Sequence, residues 1–232
     1  MFQIRKSKER GYADRGWLKS YHTFSFSDYY DEKFMGFGPL RVINEDFIEG
    51  GQGFPTHGHQ DMEIITYLMS GALAHKDSTG SEGIIYPYEV QKMTAGNGIR
   101  HSEFNYLKDK ETHLLQIWIM PDKNGLTPSY EQKNFQDKIN TGKDILLASL
   151  EGQEDSLKIH QDILIWAKKN KTNEKWQKEL NPKRKYWLQV VKGELDLAST
   201  PLLAGDGLAI IEEEQLVLNS KDESEILFFD MK

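Results

Sequence analysis

The sequence predicts an all-β protein made of two similar halves, and three observations predict it. Short segments rich in Ile, Val, Leu, Tyr and Trp recur along the chain; Gly, Pro, Asn and Asp separate them; no long segment carries an apolar period of 3.6 residues. Strands this frequent point to sandwiches or barrels with few, short helices. In the first half the expected strands are 39–46 (around Val42 and Ile43), 63–69 (Ile64, Ile65, Tyr67, Leu68), 72–76 (after the Gly71 turn), 83–86 (Ile84, Ile85) and 113–120 (Leu114, Leu115, Ile117, Ile119). In the second half they are 145–149, 157–167, 186–191, 208–211, 215–218 and 226–229, each apolar or alternating and closed by polar residues or glycine.

Two places look like counterparts. Tyr67-Leu68-Met69-Ser70-Gly71-Ala72-Leu73 and Gln189-Val190-Val191-Lys192-Gly193-Glu194-Leu195 each read as strand, glycine turn, strand, followed by an apolar run with an acidic turn. An internal duplication accounts for both, with its boundary in the polar stretch 127–144. The expected domains are 1–135, carrying the chemistry, and 136–232. Six of the seven histidines (His22, His57, His59, His75, His101, His113) precede the boundary. Counting back from each turn glycine puts His57 and His59 opposite Glu179 and Asn181, so the second half, with only His160, cannot build a three-histidine site.

The bulk numbers narrow the function classes. A net charge of −7 opposes direct nucleic-acid binding, which needs clustered Lys and Arg. The absence of cysteine removes disulfides, thiolate metal sites and cysteine nucleophiles, and fits a cytoplasmic protein. No apolar run reaches the roughly 18 residues of a membrane span, and the N-terminus lacks a signal-peptide core. No phosphate loop, dinucleotide fingerprint or serine-triad context is present.

The informative stretch is Gly51–Glu63, which contains His57-Gly58-His59. Residues two apart on a strand face the same side, about 7 Å apart. His101-Ser102-Glu103 repeats that spacing after the loop Thr94-Ala95-Gly96-Asn97-Gly98. If the two strands lie side by side, three imidazoles and a carboxylate converge on one divalent cation and leave coordination positions open. The alternative is a set of surface histidines near turns.

Here a resemblance enters. The segment fits the first cupin motif, G-x5-H-x-H-x3-E with a closing glycine, Gly71 lying one position late; Gly83, Pro87, His101 and Asn105 resemble a loosened second motif. More narrowly, Arg10–Lys19, His22-Thr23-Phe24-Ser25-Phe26, Met35–Asn44 and above all Thr94–Glu103 resemble the pirin family. The resemblance implies a bicupin, two jelly-roll-like barrels in tandem, with one metal site in the N-terminal barrel held by His57, His59, His101 and Glu103. It implies Fe(II), with Zn, Ni, Mn or Co compatible with the same donors. It implies a quercetinase-type dioxygenase that opens the flavonol ring with O2 and releases carbon monoxide, Glu103 being the candidate base and Glu63 the fallback. The other activity it implies is non-enzymatic: a metal-binding regulator of a transcription factor or metabolic enzyme. Glu63 shares strand parity with His57 and His59, which directs it inward to orient a ligand. One departure is Pro87-Tyr88-Glu89 where the family carries Pro-Gly-Asp, since tyrosine adopts glycine's positive φ at a cost.

Other candidates read as structure. His75 and Asp77 lie outside the ligand motif, and His22, His113 and His160 read as core or rim. The Lys-rich stretch 168–185 reads as a solvated loop. Phe24, Phe26, Tyr29, Tyr30, Phe34 and Phe37 are expected to pack across the barrel.

Overall fold

The alternating segments resolve into 22 strands in the structure, a computed structural model that describes residues Met1–Lys232. They are β1 (Phe2–Arg5), β2 (Gly11–Asp14), β3 (Leu18–His22), β4 (Leu40–Ile48), β5 (Gly53–His59), β6 (Glu63–Ser70), β7 (Leu73–Asp77), β8 (Glu82–Ile85), β9 (Glu89–Thr94), β10 (Ile99–Asn105), β11 (Thr112–Ile119) and β12 (Ser129–Asn134). Then follow β13 (Ile145–Ser149), β14 (Leu157–Lys158), β15 (Ile163–Asn170), β16 (Lys175–Glu179), β17 (Lys185–Lys192), β18 (Glu194–Leu197), β19 (Thr200–Leu203), β20 (Gly207–Ile211), β21 (Gln215–Ser220) and β22 (Ser224–Met231). Helix is confined to Gln136–Ile139 and the 3-10 turns Ser7–Glu9 and Gln153–Asp155.

The chain forms two compact units. One comprises Gly11–Gln136 with Ile159–Gln161, and the other Met1–Arg10, Asp137–Lys158 and Asp162–Lys232. The edges therefore differ from a simple cut between residues 135 and 136. Strand β1 pairs with β20, which draws the first ten residues into the second unit. The expected strand 157–167 is also two strands: Ile159–Gln161 leaves the sheet between β14 and β15, and joins the first unit.

Each unit is a seven-stranded sheet with a four-stranded one. The first has orders β12-β9-β6-β11-β4-β3-β2 and β5-β10-β7-β8; the second has β1-β20-β17-β22-β15-β13-β14 and β16-β21-β18-β19. The two order lists superimpose strand for strand, with β6 matching β17 and β10 matching β21. The duplication read from the two glycine turns extends over both units.

Those turns show why glycine is needed. Gly71 has φ +87, and a Cβ there meets the Thr112 Cα at 2.8 Å; Gly193 has φ +80, and a Cβ there meets the Glu223 carbonyl oxygen at 2.5 Å. Alanine at 71 is expected to destabilise the protein by about 2–3 kcal/mol, the strain of an L-residue at positive φ adding to a backbone clash, as read by urea unfolding. Tyr88, at the departure from Pro-Gly-Asp, holds φ +69, so the turn keeps a glycine-like backbone although it carries a tyrosine.

The stretch 168–185 is not a solvated loop. It contains β16 and the ends of β15 and β17, and Lys168 is buried with its Nζ 2.7 Å from Glu174 Oε1.

Candidate metal centre

A cavity of about 810 Å³ opens between the two sheets of the first unit. On its four-stranded wall, β10 pairs with β5 so that His101 lies opposite His57 and Ile99 opposite His59. A β-bulge follows between His101 and Glu103. Both polar pairs thus face one side, and the imidazoles of His57, His59 and His101 each bring a ring nitrogen within 4.8 Å of the other two. Glu103 falls in a second, overlapping cluster with His75 and His101, again with ligand atoms within 4.8 Å. The three predicted histidines thus form one set, and Glu103 joins His101 and His75 in another, His101 being common to both.

The electrostatics suit a cation. Burial, followed by the neighbouring histidines, lowers the His101 pKa to about 3; burial and then His57 lower that of His59 to about 4. Both rings are held neutral at pH 7, as ligands must be. His57 directs Nδ1 at the Pro55 carbonyl oxygen, 2.9 Å away, which leaves Nε2 to bind. Neither ring nitrogen of His101 has a hydrogen-bond partner, although the residue is only 2% exposed. Buried nitrogens with no partner are costly in a native protein, and a bound cation satisfies one of the two. The residues present fit one divalent metal ion.

Glu103 is held from the opposite sheet. Gln91 Nε2 donates to Oε1 at 2.7 Å, and Gln116 Nε2 donates to Oε2 at 2.9 Å. Burial pushes this carboxyl from 4.5 up to about 7, outweighing the two amides that favour its charge, with Asp46 adding to the rise. These amides belong to a polar row. By strand register His22 pairs Asn44, Asn44 pairs Gln116, Gln116 pairs Thr66, and Thr66 pairs Gln91. The row crosses the floor of the seven-stranded sheet, tied by Gln91 Nε2 to Thr66 Oγ1 at 3.0 Å and by His22 Nδ1 to Asn44 Oδ1 at 2.9 Å. Beside it, Trp118, Ile64 and Met93 form an apolar row in register.

The second unit repeats the frame without the chemistry. Thr66 and Leu188 each stand five residues before their turn glycine. The row through Leu188 reads Leu208, Leu188, Phe228 and Trp166, all apolar. On the facing sheet, Asn105 pairs Leu73 as Ser220 pairs Leu195, so the places of Glu103 and His101 are taken by Leu218 and Leu216, both fully buried. Lys178, paired with Leu216, stands where His57 pairs His101, one residue from the position given by counting without gaps. Leucine fills this interior where the first unit keeps a cavity.

Glu63 departs from expectation. It lies on β6, one residue before the cavity-lining Ile64, and so faces the other side of the sheet. Its carboxyl is fully buried between His160 Nδ1 at 3.0 Å and Thr94 Oγ1 at 2.9 Å. The parity count failed because residues 60–62, with Asp61 at φ +48, form a turn between two strands of different sheets. His113 stacks on Phe47 at 3.9 Å and bonds Glu45. His22 lies on the cavity floor, not in the core. Of the aromatic cluster, Phe24 is core, Phe26 and Tyr29 line the cavity, and Tyr30 is exposed. Sequence reasoning missed Gln91, Gln116 and Asp46, whose signal was polar residues at inward positions of otherwise apolar strands. It also missed that His75 sits beside Glu103 in register.

Comparison with known proteins agrees with this architecture. The pirin family model matches residues 3–119, and a model described as the quercetinase C-terminal cupin domain matches residues 146–231. The chain is 46% identical over 231 residues to the quercetin 2,3-dioxygenase of Escherichia coli (strain K12), covering 100% of this chain and 99% of that protein. It is 39% identical over 221 residues to the pirin-like protein of Caulobacter vibrioides, 95% of each chain being covered. Among solved structures, the bacterial pirin YhhW of Escherichia coli in complex with nickel(II) superimposes with a TM-score of 0.94 at 44% identity, over 100% of this chain and 99% of that one. With both halves shaped as cupins and the first matched along its length, the chain belongs to the pirin family.

Proposed function

We propose that this protein is a metal-dependent dioxygenase of the quercetinase type, acting on flavonol-like phenols with O2. The observation that carries the reading is a cluster of three histidines beside a buried carboxyl on the wall of a cavity lined with aromatic rings. The names of the relatives support the substrate class. In this reading His57, His59, His101 and Glu103 hold one divalent ion, assigned as Fe(II), and nickel fits the same donors. When bound, the ion supplies Lewis acidity that makes a phenolic hydroxyl easier to ionise.

The chain's own residues do the rest. Trp17, Phe54, Phe26 and Trp118 offer flat apolar surface to a planar ring and exclude water from it. Glu103, buried beside His101, accepts the phenolic proton when its carboxylate loosens from the ion. Gln91 and Gln116 each donate to one of its oxygens, so the carboxyl keeps its orientation as its charge changes. Three neutral imidazoles and one carboxylate leave a divalent site a net charge near +1, which attracts a phenolate.

The test follows quercetin decay under O2 with protein loaded in turn with Fe, Mn, Co and Ni. Turnover is expected with at least one of these metals, and Glu103→Gln is expected to lower kcat by about 100-fold or more. No turnover with any metal overturns the reading and favours a regulator that binds a partner protein.

A further inference from the structure

The cavity holds a second carboxyl that the chemistry above does not use. Asp46 lies on β4, two residues beyond Asn44 and on the same face, next to the polar row. It is 4% exposed and lines the cavity, opposite Ser20 in register. The Ser20 hydroxyl donates to its Oδ1, while Oδ2 accepts no hydrogen bond from the protein. No Lys or Arg pairs with it, and burial lifts its pKa to about 6 against the hydrogen bond from Ser20. It is an acceptor with one oxygen left over, on a cavity that Trp17, Phe26, Tyr29 and Phe54 also line. Such a group is stabilised by an O–H donor arriving with the ligand.

We propose that Asp46, braced by Ser20, is the second anchoring point for the substrate, accepting a hydrogen bond from a hydroxyl on the ring remote from the metal-binding oxygens. The inference rests on the phenol reading above and deepens it. The metal centre fixes one end of a planar polyphenol, the aromatic walls hold its faces, and Asp46 reads whether the other end carries a hydroxyl. Asp46 is thus a specificity residue, with no part in the proton transfer assigned to Glu103. Selection of this kind is strong because a ligand without the hydroxyl leaves a buried acceptor unpaired.

Isothermal titration of the nickel-loaded full chain without O2 tests this by binding alone. The probes are quercetin and galangin, the flavonol that lacks the two hydroxyls of the pendant ring. The unmodified protein is expected to prefer quercetin by about tenfold, the size of one charge-assisted hydrogen bond. Asp46→Ala is expected to cut that preference to within about twofold while galangin affinity changes by less than about threefold. Should the alanine variant fail to fold by circular dichroism, Asp46→Asn keeps the shape and is expected to lower the preference at least about threefold, because the acceptor loses its charge. An equal preference before and after substitution, or no preference in the unmodified protein, overturns the assignment while leaving the phenol reading standing. Failure of both flavonols to bind the unmodified protein overturns the phenol reading, and this assignment with it.

Discussion

Alanine at both His57 and His101 is expected to leave a folded protein with less than about a tenth of a metal ion per chain. The two residues face each other across the β5–β10 register, so the double substitution removes both walls of the donor set. Loss of an outer-shell partner alone weakens metal binding by about 10–100-fold, and each lost ligand should exceed that. The fold survives because one apolar cluster of this unit, Leu18, Ile48, Leu68, Leu73, Ile85 and Leu114, contains none of the predicted ligands. His101 brings two unpaired nitrogens into the interior, and its removal relieves that penalty while opening a small void. The second unit shows that the same frame accepts leucine at this place. Elemental analysis of the purified variant, with a thermal melt beside it, checks both halves of the expectation. Full metal content would mean that these histidines are not the ligands.

Metal uptake is expected to expel a proton below neutral pH, and affinity for Ni(II) to rise about tenfold per pH unit up to about pH 7 and then flatten. The cause is Glu103. Its metal-free pKa of about 7 lies above the ordinary 4.5, so at pH 6 the carboxyl is mostly protonated and must ionise to coordinate. His59 and His101 add nothing to this, since burial holds them near 4 and 3. The sign for stability follows. A carboxyl raised in the folded state favours the fold fully below its unfolded value and loses that contribution as pH climbs through the folded one. For Glu103 the loss spans about pH 4.5 to 7 and amounts to on the order of 3 kcal/mol in the metal-free protein. Cation binding offsets it. Titrations in buffers of different ionisation enthalpy count the protons released, and Glu103→Gln should release about one proton fewer near pH 6; an unchanged count in that variant assigns the proton elsewhere.

Much of this was legible because the chemistry obeys strand periodicity. The two residues of each proposed ligand pair are two apart, and each pair lies within one strand, so spacing alone put them on one face. The strands themselves were harder. β5 and β10 carry the pairs, yet neither has the apolar alternation that marks a strand, since the inward positions hold histidine and glutamate. A site residue erases the signal of the element that bears it. The same reason hid the polar row: Gln91, Thr66, Gln116 and Asn44 come from four strands, and only register reveals that they adjoin. Glu63 was misread because parity holds within a strand and not through a turn at positive φ. Tyr88 takes the positive φ that the family's glycine would occupy.

The pairing of β1 with β20 has a consequence for how the molecule is made. Phe2 lies opposite Ile210, so β1 waits for a partner that emerges some 10–40 s after it at ordinary translation rates. Until then its backbone edge is bare, a template for unwanted strands on neighbouring nascent chains. The unit that lacks the metal cluster therefore closes after the other, and until it does its open edge is exposed to other chains.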